Sequence, residues 1–194
     1  MTGFGASIGS VPPTPCHPAV DQITFRNIVM PATGKGIYIK SNKSNCQPRA
    51  ASSLTNILYE NIWIIQPAWW SIWIGPQAQH EPHSNLGGAC SLLYPIRRHC
   101  PTQGCSTFEN ITLRNVTVDD PLMSPGVILG NETNPMKNVV FEHVVVRTPT
   151  HKPYDGRLPF HEKSFPYRGK YDCQHAVGTC KGCHPVPLCF ESVA

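Results

Sequence analysis

The chain has 194 residues, among them 20 prolines, 15 glycines and 9 cysteines, and only 14% of its residues are charged. An ordinary soluble domain carries about 25% charged residues. The net charge of +4 is small and dispersed, so it does not indicate a nucleic-acid partner. No run of residues approaches the ~18 apolar residues of a membrane span, and proline and glycine leave no window that favours a helix.

A short pattern recurs along the chain in four gapless segments. Each reads apolar, any, apolar, charged, Asn or His, apolar, in residues 23–28, 57–62, 111–116 and 139–144. The alternation predicts a half-buried strand whose charged residue faces water. Asn tolerates the left-handed backbone conformation, so we expect the strand to bend at Asn27, Asn61 and Asn115.

A second strand pattern follows the first three segments at nearly constant distance, in residues 36–41, 71–76 and 126–131. Residues 5–10 show the same strand pattern and are interpreted as the second strand of an earlier repeat. Alternation along these strands predicts which side chains point inward. The inward set is Ile37, Ile39, Ile72, Ile74, Val127 and Leu129, and the outward set is Tyr38, Trp73 and Ile128.

Short strands with a bend at a fixed position and no helices predict an all-β fold, a parallel β-helix of stacked coils. The alternative is a β-sandwich of hairpins, but Asp155-Gly156 is the sole hairpin signal. We expect coils over residues 1–148, with loop insertions at 41–53 and 78–106. Residues 149–194 form an irregular tail rich in Cys, Pro and His, which we expect to cap the end of the helix.

The cysteine content favours a secreted protein with disulfides. The candidates are Cys16, Cys46, Cys90, Cys100, Cys105, Cys173, Cys180, Cys183 and Cys189. The odd count leaves one cysteine unpaired within the chain, and the pairing stays open. Clusters of cysteines with His80, His83 and His99, and with His184, have the composition of metal sites, but their irregular spacing favours disulfides over zinc. We predict no metal and no cofactor.

Four sequons also indicate secretion. Asn42 and Asn131 lie at strand ends and are the favoured glycan sites, and Asn110 is a further candidate. At the fourth, Asn115, the predicted bend should engage the amide with backbone. The first residues lack the basic and apolar regions of a signal peptide, so we expect the natural N-terminus to lie upstream of Met1.

Residues 3–10, which read GFGASIGS, resemble the Gly-His-Gly-Ile-Ser-Ile-Gly-Ser stretch of polygalacturonases, glycoside hydrolase family 28. Residues 36–40 are similar to that family's Arg-Ile-Lys strand, and the resemblance covers roughly residues 3–147. It implies a right-handed parallel β-helix that cleaves acidic pectic chains with inversion. The family's catalytic aspartates precede the Gly-His-Gly stretch, so we expect no catalytic residue here. Phe4 replaces the family His and Tyr38 the family Arg, whereas Lys40 matches.

The outward row predicts a substrate-binding site. Tyr38 and Trp73 beside Lys40 would form a sugar platform, with rings for the C–H faces and an ammonium for a carboxylate. The alternative is that a loop or a neighbouring chain covers these rings. Trp69-Trp70 is interpreted as a packed corner, and Asp119-Asp120 as two solvated carboxylates in a turn.

These observations lead to two functional hypotheses. The first is a polygalacturonase-like protein that acts on or binds acidic cell-wall polysaccharide but does not catalyse hydrolysis as this chain alone. The second is a non-catalytic secreted module that binds glycans or assembles. Self-association would use the open end of the helix near Ala6–Ile8 or the unpaired cysteine. Neither hypothesis involves nucleic acid or a membrane.

Overall fold

A computed structural model describes residues 3–11, 19–42, 52–77, 100, 106–121, 125–147 and 169–193. The regular structure in these ranges is entirely β-strand, and no helix there is long and apolar enough to cross a membrane. The strands are β1 Ala6–Val11, β2 Ala19–Pro31, β3 Ile37–Ser41, β4 Ser53–Ile65, β5 Ile72–Pro76, β6 Thr107–Asp119, β7 Gly126–Leu129, β8 Met136–Val146, β9 Asp172–Gln174, β10 Ala176–Lys181 and β11 Glu191–Val193.

The strands form two sheets in which every pairing is parallel. The five-stranded sheet has the order β1-β3-β5-β7-β9, and the six-stranded sheet has the order β2-β4-β6-β8-β10-β11. From β1 to β10, successive strands alternate between the two sheets. Each sheet therefore grows by one strand for every second strand of the chain, as the repeat predicts.

The register of the six-stranded sheet confirms the recurring pattern. Ile23 pairs with Ile57, Ile57 with Ile111 and Ile111 with Val139. The predicted bends are present, since Asn27, Asn61, Asn115 and His143 have φ angles between 52° and 58°. Asn adopts this left-handed conformation more readily than most residues, and its recurrence turns each strand at the same point. A second bend comes five residues earlier, at Gln22, Asn56, Asn110 and Asn138.

One register prediction in the five-stranded sheet is wrong. Gly126, not Val127, pairs with Ile72, so Val127 pairs with Trp73 and Ile128 with Ile74. Ile128 therefore joins the core between the sheets, and Val127 lies in the outward row. A shift of one residue moves each side chain to the other face of a strand. Because three apolar residues follow Gly126 directly, the sequence lacks the alternation that would have fixed the phase.

The core lies between the two sheets and draws residues from both. It includes Ile37 and Ile72 from the five-stranded sheet and Ile64 and Ile111 from the six-stranded sheet. Tyr59 of β4 crosses this core, and its hydroxyl donates to the carbonyl oxygen of Ala6 in β1 at 3.1 Å. Burial raises the pKa of this phenol well above its ordinary value. Apolar packing and this internal hydrogen bond thus tie the two sheets together.

The C-terminal segment is more regular than its composition indicates. β9 extends the five-stranded sheet beside β7, and β10 extends the six-stranded sheet beside β8. The prediction of an irregular tail is therefore wrong for the segments that form β9, β10 and β11. In β10 the inward residues are Ala176, Gly178 and Cys180, which are too small for an apolar pattern to reveal. A side chain at Gly178 would collide with the carbonyl oxygen of Val139.

The tail cysteines are disulfide-bonded, as predicted. The bonds join Cys173 to Cys189 and Cys180 to Cys183. Cys100 is also disulfide-bonded. These bonds indicate an oxidising compartment. The remaining candidates Cys16, Cys46, Cys90 and Cys105, and most of the predicted insertions at 41–53 and 78–106, lie outside the described residues.

Candidate functional site

Aromatic rings converge on a buried lysine at the outer face of the five-stranded sheet. The rings pack edge to face or tilted, with centroids 5.2 Å apart for Phe4–Tyr38, 6.3 Å for Tyr38–Trp73 and 5.2 Å for Trp70–Trp73. Such pairs are stabilised by the ring quadrupole as well as by burial. We call this set the aromatic–lysine cluster: Phe4, Lys35, Tyr38, Trp69, Trp70 and Trp73.

Lys35 is the residue of this cluster that sequence reasoning missed. Its Nζ lies 4.2 Å from the ring centre of Tyr38, 4.6 Å from that of Phe4 and 5.4 Å from that of Trp73. Burial lowers the pKa of Lys35 from 10.5 to about 7, and the neighbouring charge of Lys40 lowers this pKa as well. The rings partly offset the free-energy cost of burying the charged amine, because a cation above an aromatic face is attracted to it.

The backbone around Lys35 explains its inward direction. Gly5 N donates to the carbonyl oxygen of Lys35 at 2.7 Å, and the Thr33 hydroxyl donates to the same oxygen at 2.9 Å. These bonds anchor the turn before β3 to the segment that carries Phe4. A lysine between two glycines has the signature of an exposed turn, so no local signal in the sequence identifies it.

The structure brings Tyr38, Trp73 and Lys40 together but does not expose them. Tyr38 and Trp73 are 0% accessible, and Lys40 is buried with its Nζ 4.8 Å from the ring centre of Tyr38. The predicted sugar platform therefore needs correction, because its ring faces are occupied by protein. Phe4 is the exposed member of the cluster, at 40%. The packed corner predicted at Trp69-Trp70 is confirmed by the complete burial of Trp70.

The second feature is an open groove of about 490 Å³ on the outside of the six-stranded sheet. Its residues come from β2, β4 and β6, at the Asn bend and directly after it, and from the residue that follows β8. We call it the amide groove. It is lined by Asn27, Ile28, Val29, Asn61, Ile62, Trp63, Asn115, Thr117 and Arg147.

A ladder of asparagines forms the floor of the amide groove. Asn61 Nδ2 donates to Asn27 Oδ1 at 3.0 Å, and Asn115 Nδ2 donates to Asn61 Oδ1 at 2.8 Å. The amide of Asn115 was expected to bond to backbone, but it bonds to the next asparagine instead. An amide has two N–H donors and two acceptor lone pairs, so each asparagine of the ladder keeps hydrogen-bonding capacity for a ligand.

A row of side chains that includes an exposed tryptophan forms one wall of the groove beside this ladder. The outward row of Val29, Trp63 and Thr117 is in register across β2, β4 and β6. Trp63 is 47% accessible, and its Nε1 donates to Asp119 Oδ2 at 2.5 Å. The groove thus combines an exposed ring, whose orientation is fixed, with a row of amides.

Asp119 and Asp120 are not the solvated pair that the sequence indicated. Asp119 accepts hydrogen bonds from Trp63 and, at 2.8 Å, from Arg147. Asp120 has a φ of 48° and accepts from Gln66 Nε2 at 2.9 Å. Both carboxylates have structural partners, because the bend brings donors of neighbouring strands to them. Sequence reasoning missed Trp63 and Arg147, although the alignment of the repeats places Trp63 in an outward row.

The remaining predicted sites have less exposure than the sequence indicated. Asn42 and Asn131 are buried, and Asn110 is half-buried with its amide donating to Asn56 Oδ1 at 3.0 Å. Asn42 and Asn131 thus lack the exposure of a surface glycan site, whereas Asn110 stays a prediction. Among the described residues no group of three or more His, Cys, Asp or Glu side chains could hold a metal ion.

Comparisons with known proteins assign no family to this arrangement. No family model, curated protein or solved structure matches the chain significantly. The function therefore has to be inferred from the amide groove and the aromatic–lysine cluster.

Proposed function

We propose that the chain is a secreted, right-handed parallel β-helix of the polygalacturonase type that binds an acidic cell-wall polysaccharide without cleaving it. The observation that carries the proposal is the amide groove. Its open aromatic ring, amide ladder and terminal arginine offer the three contacts that sugars use: a face for C–H groups, paired donors and acceptors, and a charge.

The direction of the groove favours a polymer over a single sugar. The groove crosses successive strands, and parallel strands are spaced about 4.8 Å apart. This step is close to the length of one pyranose unit in an extended chain. Equivalent asparagines on β2, β4 and β6 therefore meet successive sugars of one polysaccharide.

The lining of the groove supports binding without hydrolysis. An inverting glycosidase needs two carboxyl groups roughly 6.5–9.5 Å apart on opposite sides of the scissile bond. None of the residues that line the groove is acidic. Asp119 borders the groove, but Trp63 and Arg147 both donate to its carboxylate. Each of its two oxygens thus already accepts a hydrogen bond from a protein side chain.

Electrophoresis through gels that contain polygalacturonate tests the proposal. We expect the protein to be retarded in this gel relative to a gel that contains dextran, with no release of reducing ends from polygalacturonate in solution. Equal mobility in both gels would refute polysaccharide binding. Release of reducing ends in proportion to protein concentration would show instead that the chain is a hydrolase.

A further inference from the structure

We infer that the amide groove contains a subsite for a carboxylate at Arg147, so that its ligand is a chain of uronic acid residues. The inference rests on the proposed function and deepens it, since it names the sugar class and the residue that selects it. Arg147 belongs to the lining of the groove, and its side chain is 63% accessible.

The guanidinium of Arg147 retains donors for a ligand. Its Nη1 donates to Asp119 Oδ1 at 2.8 Å. A guanidinium has five N–H donors in a planar fork, so one bond to Asp119 leaves others directed elsewhere. Arginine binds a carboxylate with two parallel hydrogen bonds, a geometry that an ammonium cannot reproduce.

Asp119 is the positioning residue of this subsite. It holds Arg147 through one carboxylate oxygen and the Trp63 indole through the other. The backbone adds a further restraint, because Arg147 N donates to the carbonyl oxygen of Val118 at 2.9 Å. Ring and guanidinium are therefore set relative to each other by one side chain before a ligand arrives, which lowers the entropic cost of binding.

The spacing matches a polymer of acidic sugars. Trp63, Asp119 and Arg147 lie on β4, on β6 and directly after β8. The shared carboxylate of Asp119 brings the indole and the guanidinium together, because Trp63 Nε1 and Arg147 Nη1 lie 2.5 Å and 2.8 Å from its two oxygens. A sugar stacked on Trp63 therefore places its neighbour near Arg147. Thr117 also lines this part of the groove.

The other described arginines of this sheet, Arg26 and Arg114, are paired with glutamates outside the groove. Arg26, Glu60, Arg114 and Glu142 form a ladder of ion pairs, with 2.6 Å between Arg26 Nε and Glu60 Oε2 and 3.2 Å between Arg114 Nη1 and Glu60 Oε1. None of the four lines the amide groove. This ladder balances its own charge, whereas Arg147 shares its single carboxylate with an indole.

Calorimetric titration with two matched ligands tests the subsite. The ligands are an oligogalacturonate and the same oligomer with every carboxyl methyl-esterified, which removes the charge and keeps the backbone. We expect Arg147→Ala to weaken binding of the acidic oligomer roughly 10- to 100-fold, the usual range for a lost hydrogen bond to a charged group. Binding of the ester should change little. Arg147→Lys should recover only part of the loss.

The controls separate failure of the subsite from failure of the proposed function. Arg26→Ala removes another exposed arginine, 54% accessible and outside the groove, and should leave both affinities unchanged. Arg147→Gln, compared by thermal melting, guards against a folding defect of the alanine variant. If the wild type binds the acidic oligomer and Arg147→Ala and Arg147→Gln bind it equally well, the subsite is refuted and the proposed function stands. If the wild type binds neither oligomer, the proposed function fails.

Discussion

Replacing Trp73 by alanine is expected to lower the free energy of unfolding by roughly 3–5 kcal/mol, the range for truncating a buried aromatic side chain. The ring is inaccessible, packs against Tyr38 and Trp70, and donates from Nε1 to the carbonyl oxygen of Pro76 at 2.8 Å. Its loss leaves both a cavity and an unpaired carbonyl. Urea denaturation followed by circular dichroism measures the change.

Trp63→Ala is the matched control for this substitution. The same deletion on the exposed wall of the amide groove removes a ring that is 47% accessible, and it should cost about 1 kcal/mol or less. If instead Trp73→Ala keeps its stability and loses affinity for polygalacturonate, the aromatic–lysine cluster is a sugar platform after all, and its assignment to the packed interior is wrong.

The second large effect concerns Lys35, whose replacement by methionine should stabilise the protein at pH 6–7. The folded-state pKa of this lysine is lowered from 10.5 to about 7. Lowering a pKa by one corresponds to about 1.4 kcal/mol, and the attraction of the rings for a cation offsets part of this cost, which leaves a gain on the order of 2–4 kcal/mol. Methionine suits the site because it is apolar, similar in length and favourable beside aromatic rings.

The pH dependence distinguishes this explanation from improved packing. Between pH 7 and 10.5 the unfolded chain holds a proton on Lys35 that the folded chain has released, so the stability of the wild type should rise with pH in this window. The advantage of Lys35→Met should therefore shrink towards pH 9.5. Lys137→Met, at an exposed lysine of β8, serves as the control and should show no such trend. A gain from Lys35→Met that is constant from pH 6.5 to 9.5 would contradict a buried titrating amine.

The sequence predicts the strands of the repeat well because the same alternation of apolar and polar residues occurs in four segments. The pattern from Ile23 to Ile28 recurs in three further segments, and the structure pairs the first residues of all four segments in register. The bends were equally accessible, since Asn27, Asn61 and Asn115 mark them. Prediction failed where the alternation of apolar and polar residues is weak. In β7 three consecutive apolar residues hide the phase, and in β10 small inward residues hide the strand.

The candidate sites depend on information that the sequence does not contain locally. The alternation of side chains along the strands correctly separates Tyr38 and Trp73 from the core between the sheets. It does not show whether another segment of the chain covers an outward row. Lys35 reaches the cluster through contacts that join Gly5, Thr33 and the rings of β3 and β5. The link from Trp63 through Asp119 to Arg147 runs diagonally across strands, so it becomes visible only once the register is known.

We propose that polysaccharide binds in the amide groove rather than at the aromatic–lysine cluster. The most direct test compares oligogalacturonate binding by the wild type, Trp63→Ala and Phe4→Ala, since Trp63 and Phe4 are the exposed rings of the two sites. Loss of a central stacking ring typically costs at least about 1.4 kcal/mol, or tenfold in affinity. Binding in the amide groove predicts a dissociation constant at least about tenfold higher for Trp63→Ala and unchanged for Phe4→Ala. Weakened binding by Phe4→Ala with normal binding by Trp63→Ala would contradict it.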